Sequence, residues 1–159
     1  MTGTHEREFS IATRIANVDA ESLWRHAASW EGINAELAPI RMSHPSNHQS
    51  IDEIPADGKV HLVSRISLFG LPIDRHAFSL VERVPGSHFS EVSSNRLMSR
   101  WTHHRSITTL DAGDVQLTDR CTFVPRIPLM GALLLVVYER VFARRHAALR
   151  RLFGGVPAP

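Results

Sequence analysis

The last third of the chain constrains its fold most. Alternating polar and apolar segments run without interruption into one long amphipathic stretch, from about Pro128 to Phe153. A strand that alternates every second residue has one apolar face, and a helix with a 3.6-residue apolar period has one apolar side. Neither can stay wet, so each is expected to cover the other. Leu134, Val137, Val141, Ala148 and Leu152 form one ridge of that helix, and Leu135, Tyr138, Phe142, Leu149 and Phe153 lie beside it. Arg140, Arg144 and Arg151 fall on the opposite side, and Gly154-Gly155 is a good stop.

Upstream, residues 8–16 alternate as a strand. Asn17 or Asp19 can cap a helix starting near Ala20, with Leu23, Trp24 and Ala27 on its apolar side. A second short helix fits Trp30 to Leu37, and Pro39 ends it. Residues 43–50 read as a loop. Strands then fit Val60 to Phe69, Ala77 to Val84, Phe89 to Ser93, Met98 to Leu110 and Val115 to Val124. Asp57-Gly58, Gly70-Leu71-Pro72, Pro85-Gly86 and Ala112-Gly113 supply the turns. The order predicts an α+β domain over residues 1–159, a curved antiparallel sheet wrapped around the C-terminal helix, with two short helices after the first strand. One helix does not fill a strongly bent sheet, so a cavity is expected between them.

Composition narrows the function. The 159 residues are 43% hydrophobic with a net charge of only +2, so no polyanion partner is implied, and Lys59 is the only lysine. The aromatics fall at core periods rather than along a basic stripe, which argues against nucleic acid. Cys121 is the single cysteine, so no internal disulfide can form and a reducing compartment fits. Residues 1–9 lack a signal-peptide core. Leu129 to Tyr138, the longest apolar run, is about half of what spans a bilayer. A cytoplasmic protein without stable membrane insertion is expected. The histidines are scattered, and His44 and His48 lie in a Pro-interrupted loop, so no metal is expected. No phosphate loop, nucleophile elbow or dinucleotide fingerprint is present, and no cofactor is expected.

Three segments carry a resemblance. Trp30-Glu31-Gly32-Ile33-Asn34-Ala35-Glu36-Leu37-Ala38-Pro39 resembles the segment after the first helix in the START-like, SRPBCC superfamily. Trp101-Thr102-His103-His104-Arg105, followed by Thr118-Asp119-Arg120-Cys121-Thr122-Phe123, resembles strands of its uncharacterised bacterial members. Val141 to Leu149 is similar to their closing helix. The resemblance covers nearly the whole chain and implies the helix-grip fold. That superfamily holds polyketide cyclases and dehydratases, lipid-transfer domains, binders and subunits of larger enzymes, so fold alone does not fix activity.

The strands carrying these motifs form a hairpin with two registers open to it. Pairing Leu110 with Val115 would set Ser106 against Asp119. A shift by one pairs Arg105 with Asp119 and His103 with Cys121, and brings Trp101 and Ile107 onto one face with Leu117, Cys121 and Phe123. The second is favoured, because a sheet must offer its cover one consistent face. It places His103, Arg105 and Asp119 on a covered face, where titratable groups cost free energy unless paired or used. They are either a buried pair that holds the register, or a site in which His103 acts as acid or base and Asp119 fixes the local charge. Glu36 is a candidate base near the cavity mouth, although an exposed helix carboxylate is the plainer reading. Cys121 reads as a small core residue. The arginine-rich face, Arg140, Arg144, Arg145, Arg150 and Arg151, reads as solvated or as a contact with an anionic lipid or an acidic partner.

The expected ligand is a hydrophobic small molecule, lipid or polyketide-like. Trp101, Ile107, Leu117, Cys121 and Phe123 would line its cavity from the hairpin, with Val137, Val141 and Phe142 from the helix and Glu36 beside them. The alternative is a polyketide cyclase, aromatase or dehydratase-type enzyme that uses His103 with Arg105 and Asp119 for proton transfer. A filled core without ligand is the third reading, and a homodimer stays open.

Overall fold

Strand β1 (Arg7–Ile15) opens the chain, and Asp19 caps α1 (Ala20–Ala28) by accepting the Ser22 N–H through its side chain. The computed structural model describes residues 5–158. Ser29 both ends α1 and caps α2 (Trp30–Leu37), its hydroxyl oxygen accepting the Gly32 N–H at 3.0 Å. Strands β2 (Ile40–Met42), β3 (Val60–Leu68), β4 (Leu71–Val84), β5 (His88–Ser93), β6 (Met98–Thr109) and β7 (Val115–Pro125) follow. Helix α3 (Gly131–Phe153) and the short β8 (Val156–Ala158) complete it. The eight strands form one antiparallel sheet in the order β2-β3-β4-β5-β6-β7-β1-β8. This is the helix-grip α+β architecture that the sequence predicts.

Four local features differ from expectation. β4 starts at Leu71 rather than Ala77. The turn before it is only Phe69-Gly70, both at positive φ (49° and 83°), which suits a tight hairpin. Pro72 is tolerated inside β4 because it sits at the register shift after Ile66. β2 and β8, each three residues long, carry too short a pattern to be seen in sequence. Pro128–Met130 forms a separate 3-10 turn, so α3 begins at Gly131.

The inner face of the sheet has two apolar clusters. In one, Ile107 and Leu117 pack with Ile15, Leu23, Trp24, Phe89 and Leu149. In the other, Cys121 and Phe123 pack with Phe9, Trp101, Leu134 and Phe142. Each fully buried Leu, Ile or Phe here contributes roughly 1.5–3 kcal/mol by leaving water. The arginine-rich side of α3 is only partly wet. Arg140, Arg144 and Arg151 are exposed, but Arg145 is buried and Arg150 half-buried.

Candidate ligand site

The β6–β7 hairpin takes the register that pairs Arg105 with Asp119, His103 with Cys121, Trp101 with Phe123 and Ile107 with Leu117. A five-residue loop, closed by the Leu110 N–H donating to the Asp114 carbonyl, sets that offset. Arg105 grips Asp119 with two prongs, Nε to Oδ1 at 2.8 Å and Nη2 to Oδ2 at 2.7 Å. His103 Nε2 lies 2.7 Å from Oδ1, and His146 Nε2 lies 2.9 Å from Oδ2. Behind His146, its Nδ1 is 2.9 Å from the Thr13 hydroxyl, which accepts from Arg150 at 3.2 Å. Arg150 donates to the Thr13 hydroxyl, and His146 links that hydroxyl to the Asp119 carboxylate through its two ring nitrogens.

Glu36 joins this layer from α2. Arg105 Nη1 donates to Oε1 at 3.1 Å, and Arg145 Nη2 to Oε2 at 3.0 Å. Two guanidinium charges therefore meet two carboxylate charges in a region with almost no solvent access. Burial by itself would raise the pKa of Glu36, but the charges of Arg105 and Arg145 outweigh it and bring the group down to about 2. Burial would likewise raise Asp119, and Arg105 together with His103 holds it well below the usual carboxylate range. Burial opposes the charge on Arg105, yet Asp119 and Glu36 push its pKa up.

Beside this layer lies a cavity of about 300 Å³, between the β3–β6 side of the sheet and α3. Its walls are largely apolar, with Trp30, Ile33, Met42, Phe78, Phe89 and Phe142 prominent. Four buried polar side chains face it: His76, Glu91, His103 and Arg145. Glu91 Oε1 accepts the Trp101 indole N–H at 2.8 Å and lies 3.5 Å from His76 Nε2. Burial would raise the Glu91 pKa, but the hydrogen bond and charge of His76, then His103 and Trp101, bring it down. His103 connects the two systems. Its Nε2 is on Asp119, and its Nδ1 points toward Glu91 Oε1 at 3.9 Å. Trp30, also in the wall, has an indole N–H with no partner among the described residues. Asp74, Asn95 and Tyr138 stand at the half-buried rim.

Five of the sequence candidates face this cavity: Trp101, His103, Val137, Val141 and Phe142. Seven do not. Ile107 and Leu117 lie under α1 and its neighbours, whereas Cys121 and Phe123 are sealed by Phe9 and the first turns of α3. Arg105 and Asp119 sit behind His103. Glu36 is buried, not exposed, and its carboxylate is consumed by the two arginines. Arg145 is corrected from a solvated face to an interior partner, because its guanidinium reaches Glu36.

Sequence reasoning missed His76, Glu91 and His146. The first two carry a signal. Glu91 alternates with Phe89 and Ser93 on the buried side of β5, and His76 with Phe78 and Leu80 on that of β4. His146 lies four positions after Phe142, on the same helix side. Among the described residues no group of three or more His, Cys, Asp or Glu side chains is arranged to hold a metal ion. No described helix is long and apolar enough to cross a membrane.

A bent sheet gripping one long helix, with a cavity between them, defines the START-like fold, and solved structures of that class superpose on this one. A START superfamily protein from Mycobacterium smegmatis matches at TM-score 0.64 and 12% identity, covering 92% of this chain and 96% of that one. The Zhui aromatase/cyclase from Streptomyces sp. R1128 matches at TM-score 0.64 and 17% identity, covering 93% and 96%. An HSP90 activator from Plasmodium falciparum matches at TM-score 0.61 and 11% identity, covering 96% and 99%. At such identities the likeness concerns the fold. Residues 14–153 match the model of the domain of unknown function DUF8410, and the chain belongs to that family. No curated protein sequence matches it.

Proposed function

We propose that this protein binds an apolar small molecule in the cavity between the sheet and α3. The ligand would place a hydrogen-bonding oxygen or nitrogen against the His76–Glu91–His103 wall. The observation that carries this reading is the contrast within the cavity. Apolar side chains make up most of the lining, while a buried carboxylate and two histidines gather at one place on it. Apolar burial supplies affinity in such a site, and a few fixed polar groups supply orientation. The volume is at the small end of the range for ligand pockets, which favours a single compact molecule over a long diacyl lipid. The START-like neighbours support the reading, since they share the fold whose sheet and long helix frame the cavity here.

The test is uptake of apolar compounds by the purified protein, read by native mass spectrometry and by protection against thermal unfolding. Met42→Trp fills the cavity from its wall. Binding by the wild type that disappears in Met42→Trp, with unfolding still cooperative, is the expected result. Absence of any bound apolar compound, or uptake indifferent to Met42→Trp, would sink the proposal.

A second reading rests on His103. Its ring lies in the cavity wall and its Nε2 is held by Asp119, the arrangement that orients a histidine for proton transfer. In an enzyme of the cyclase, aromatase or dehydratase type, Nδ1 would exchange the proton with a carbonyl or hydroxyl of the ligand. Asp119 and Arg105 would act only by positioning that ring. His103→Gln separates the two readings: a carrier keeps most of its affinity, while an enzyme loses turnover yet still binds.

A further inference from the structure

We infer that the mouth of the cavity is a docking face for an anionic lipid bilayer, with an apolar lip that enters the membrane and arginines that meet its phosphates. The lip is formed by Ile73 and Leu97 on the sheet side and by Val137, Leu133 and Leu129 along the start of α3. All five are at least 40% exposed, and Leu129 reaches 95%. Leu129, Leu133 and Val137 recur every four residues, so they make one stripe along the 3-10 turn and the first turns of α3. Ile73, Leu97 and Val137 also line the cavity, so the stripe ends at its opening. A contiguous exposed apolar surface of this kind marks an interaction site.

The charge beside the lip selects the occupant. Arg75, Arg96 and Arg126 surround a hollow of about 460 Å³ that shares Asn95 with the cavity lining. Arg126 ties the two surfaces together. Its backbone N–H donates to the Leu97 carbonyl at 2.9 Å, and its Nε donates to the Asn95 carbonyl at 3.0 Å. The arginines that form salt bridges among the described residues are Arg14, Arg83, Arg105, Arg120 and Arg145, none of them in this group. Arg75 also stands directly opposite Arg65 across the β3–β4 ladder, where like charges repel. The one carboxylate at the rim, Asp74, is already engaged, its Oδ1 accepting the backbone N–H groups of Arg75 and Arg96.

A soluble polyanion would satisfy the arginines and leave the lip wet. A second copy of the chain would cover the lip but bring the arginine groups toward one another. A surface that is apolar within and anionic outside satisfies both features. On this reading the cavity opens toward the bilayer, which is a route for an apolar ligand that avoids water. The docking is peripheral and leaves the fold intact.

Co-sedimentation of the full chain with phosphatidylcholine vesicles, with and without roughly one third phosphatidylglycerol, tests the inference. Expected is sedimentation with the anionic vesicles only, weakened by salt. Each of Arg96→Ala and Arg126→Ala should weaken it about fivefold. Leu129→Glu with Leu133→Glu should weaken it about tenfold or more, with thermal unfolding unchanged because both positions are exposed. Failure to sediment with anionic vesicles overturns the inference, as does equal binding to neutral ones. A dimer in solution that the leucine variants dissolve, with no vesicle binding, assigns the face to a second copy instead. Heparin binding without vesicle binding assigns it to a soluble polyanion. Cavity binding of an apolar compound is read separately, so the two proposals can fail independently.

Discussion

Arg145 of α3 and Glu36 of α2 meet in the interior, Nη2 to Oε2 at 3.0 Å, although 109 positions separate them in the chain. Glu36 also takes Arg105, so one carboxylate on a two-turn helix joins the sheet to the long helix. Removing that carboxylate strands the buried Arg145 and leaves Arg105 with Asp119 alone. Glu36→Gln is expected to cost about 3–5 kcal/mol, because an uncompensated buried charge is worse than no pair at all. Guanidinium unfolding measures it, and the exposed Glu31→Gln on the same helix should stay within about 0.5 kcal/mol of the wild type. Equal effects at the two positions would refute the account.

Acid should unfold the protein in a defined window. A carboxylate with a depressed folded pKa stabilises above its unfolded pKa, and the stabilisation is lost as pH falls through the folded value. For Glu36 that window runs from 4.5 down to about 2. Asp119 and Glu91 are shifted in the same direction. Stability should therefore fall steadily through this range, by roughly a few kcal/mol from Glu36 alone. Circular dichroism at a series of pH values checks it. A stability curve that is flat down to the lower end of the window would contradict the buried pairing.

Gly32 lies where α1 turns into α2. A Cβ there would sit 2.0 Å from the His26 carbonyl oxygen and 2.9 Å from Ser29 Oγ. Neither atom can retreat, since the carbonyl belongs to α1 and the hydroxyl caps α2. Gly32→Ala should cost about 3 kcal/mol. Gly113→Ala, in open space at φ 80°, should cost only about 1–2 kcal/mol for its backbone conformation. Thermal unfolding of the two variants separates steric exclusion from backbone strain.

Cys121 should be chemically silent in the folded state. Burial pushes its thiol up, and the Asp119 charge raises it further, so the reactive thiolate is disfavoured. Iodoacetamide should label it only after denaturation, as peptide mass spectrometry would show. Rapid labelling of native protein would mean that the β7 face opens to solvent.

The hairpin register was legible because Trp101, His103, Arg105 and Ile107 alternate in step with Leu117, Asp119, Cys121 and Phe123. What the alternation does not encode is the cover. Ile107 of β6 and Phe123 of β7 share a sheet face, yet one lies in the α1-side cluster and the other meets Leu134 and Phe142 on α3. The cavity falls to one side of both. Glu36 looked exposed because a helix of eight residues shows little periodicity, and the cations that bury it come from β6 and α3. Arg145 looked wet because Arg144 precedes it, although Phe142 on the same side already pointed inward.

The charged layer also sets an order of events. Thr13 and His146 are 133 positions apart, and Glu36 and Arg105 are 69. Chains grow from the N-terminus, so Glu36, Arg105 and Asp119 are made before the Arg145 and His146 of α3 that complete their layer. Before then, the inner face of the sheet carries ionic groups that resist any purely apolar cover. A helix displaced by one turn would bury Arg145 away from Glu36 and His146 away from Asp119, and both would lose their partners. α3 therefore has one seating. The ions that look like an impediment to a core act as its proofreading step, admitting the last helix in a single alignment.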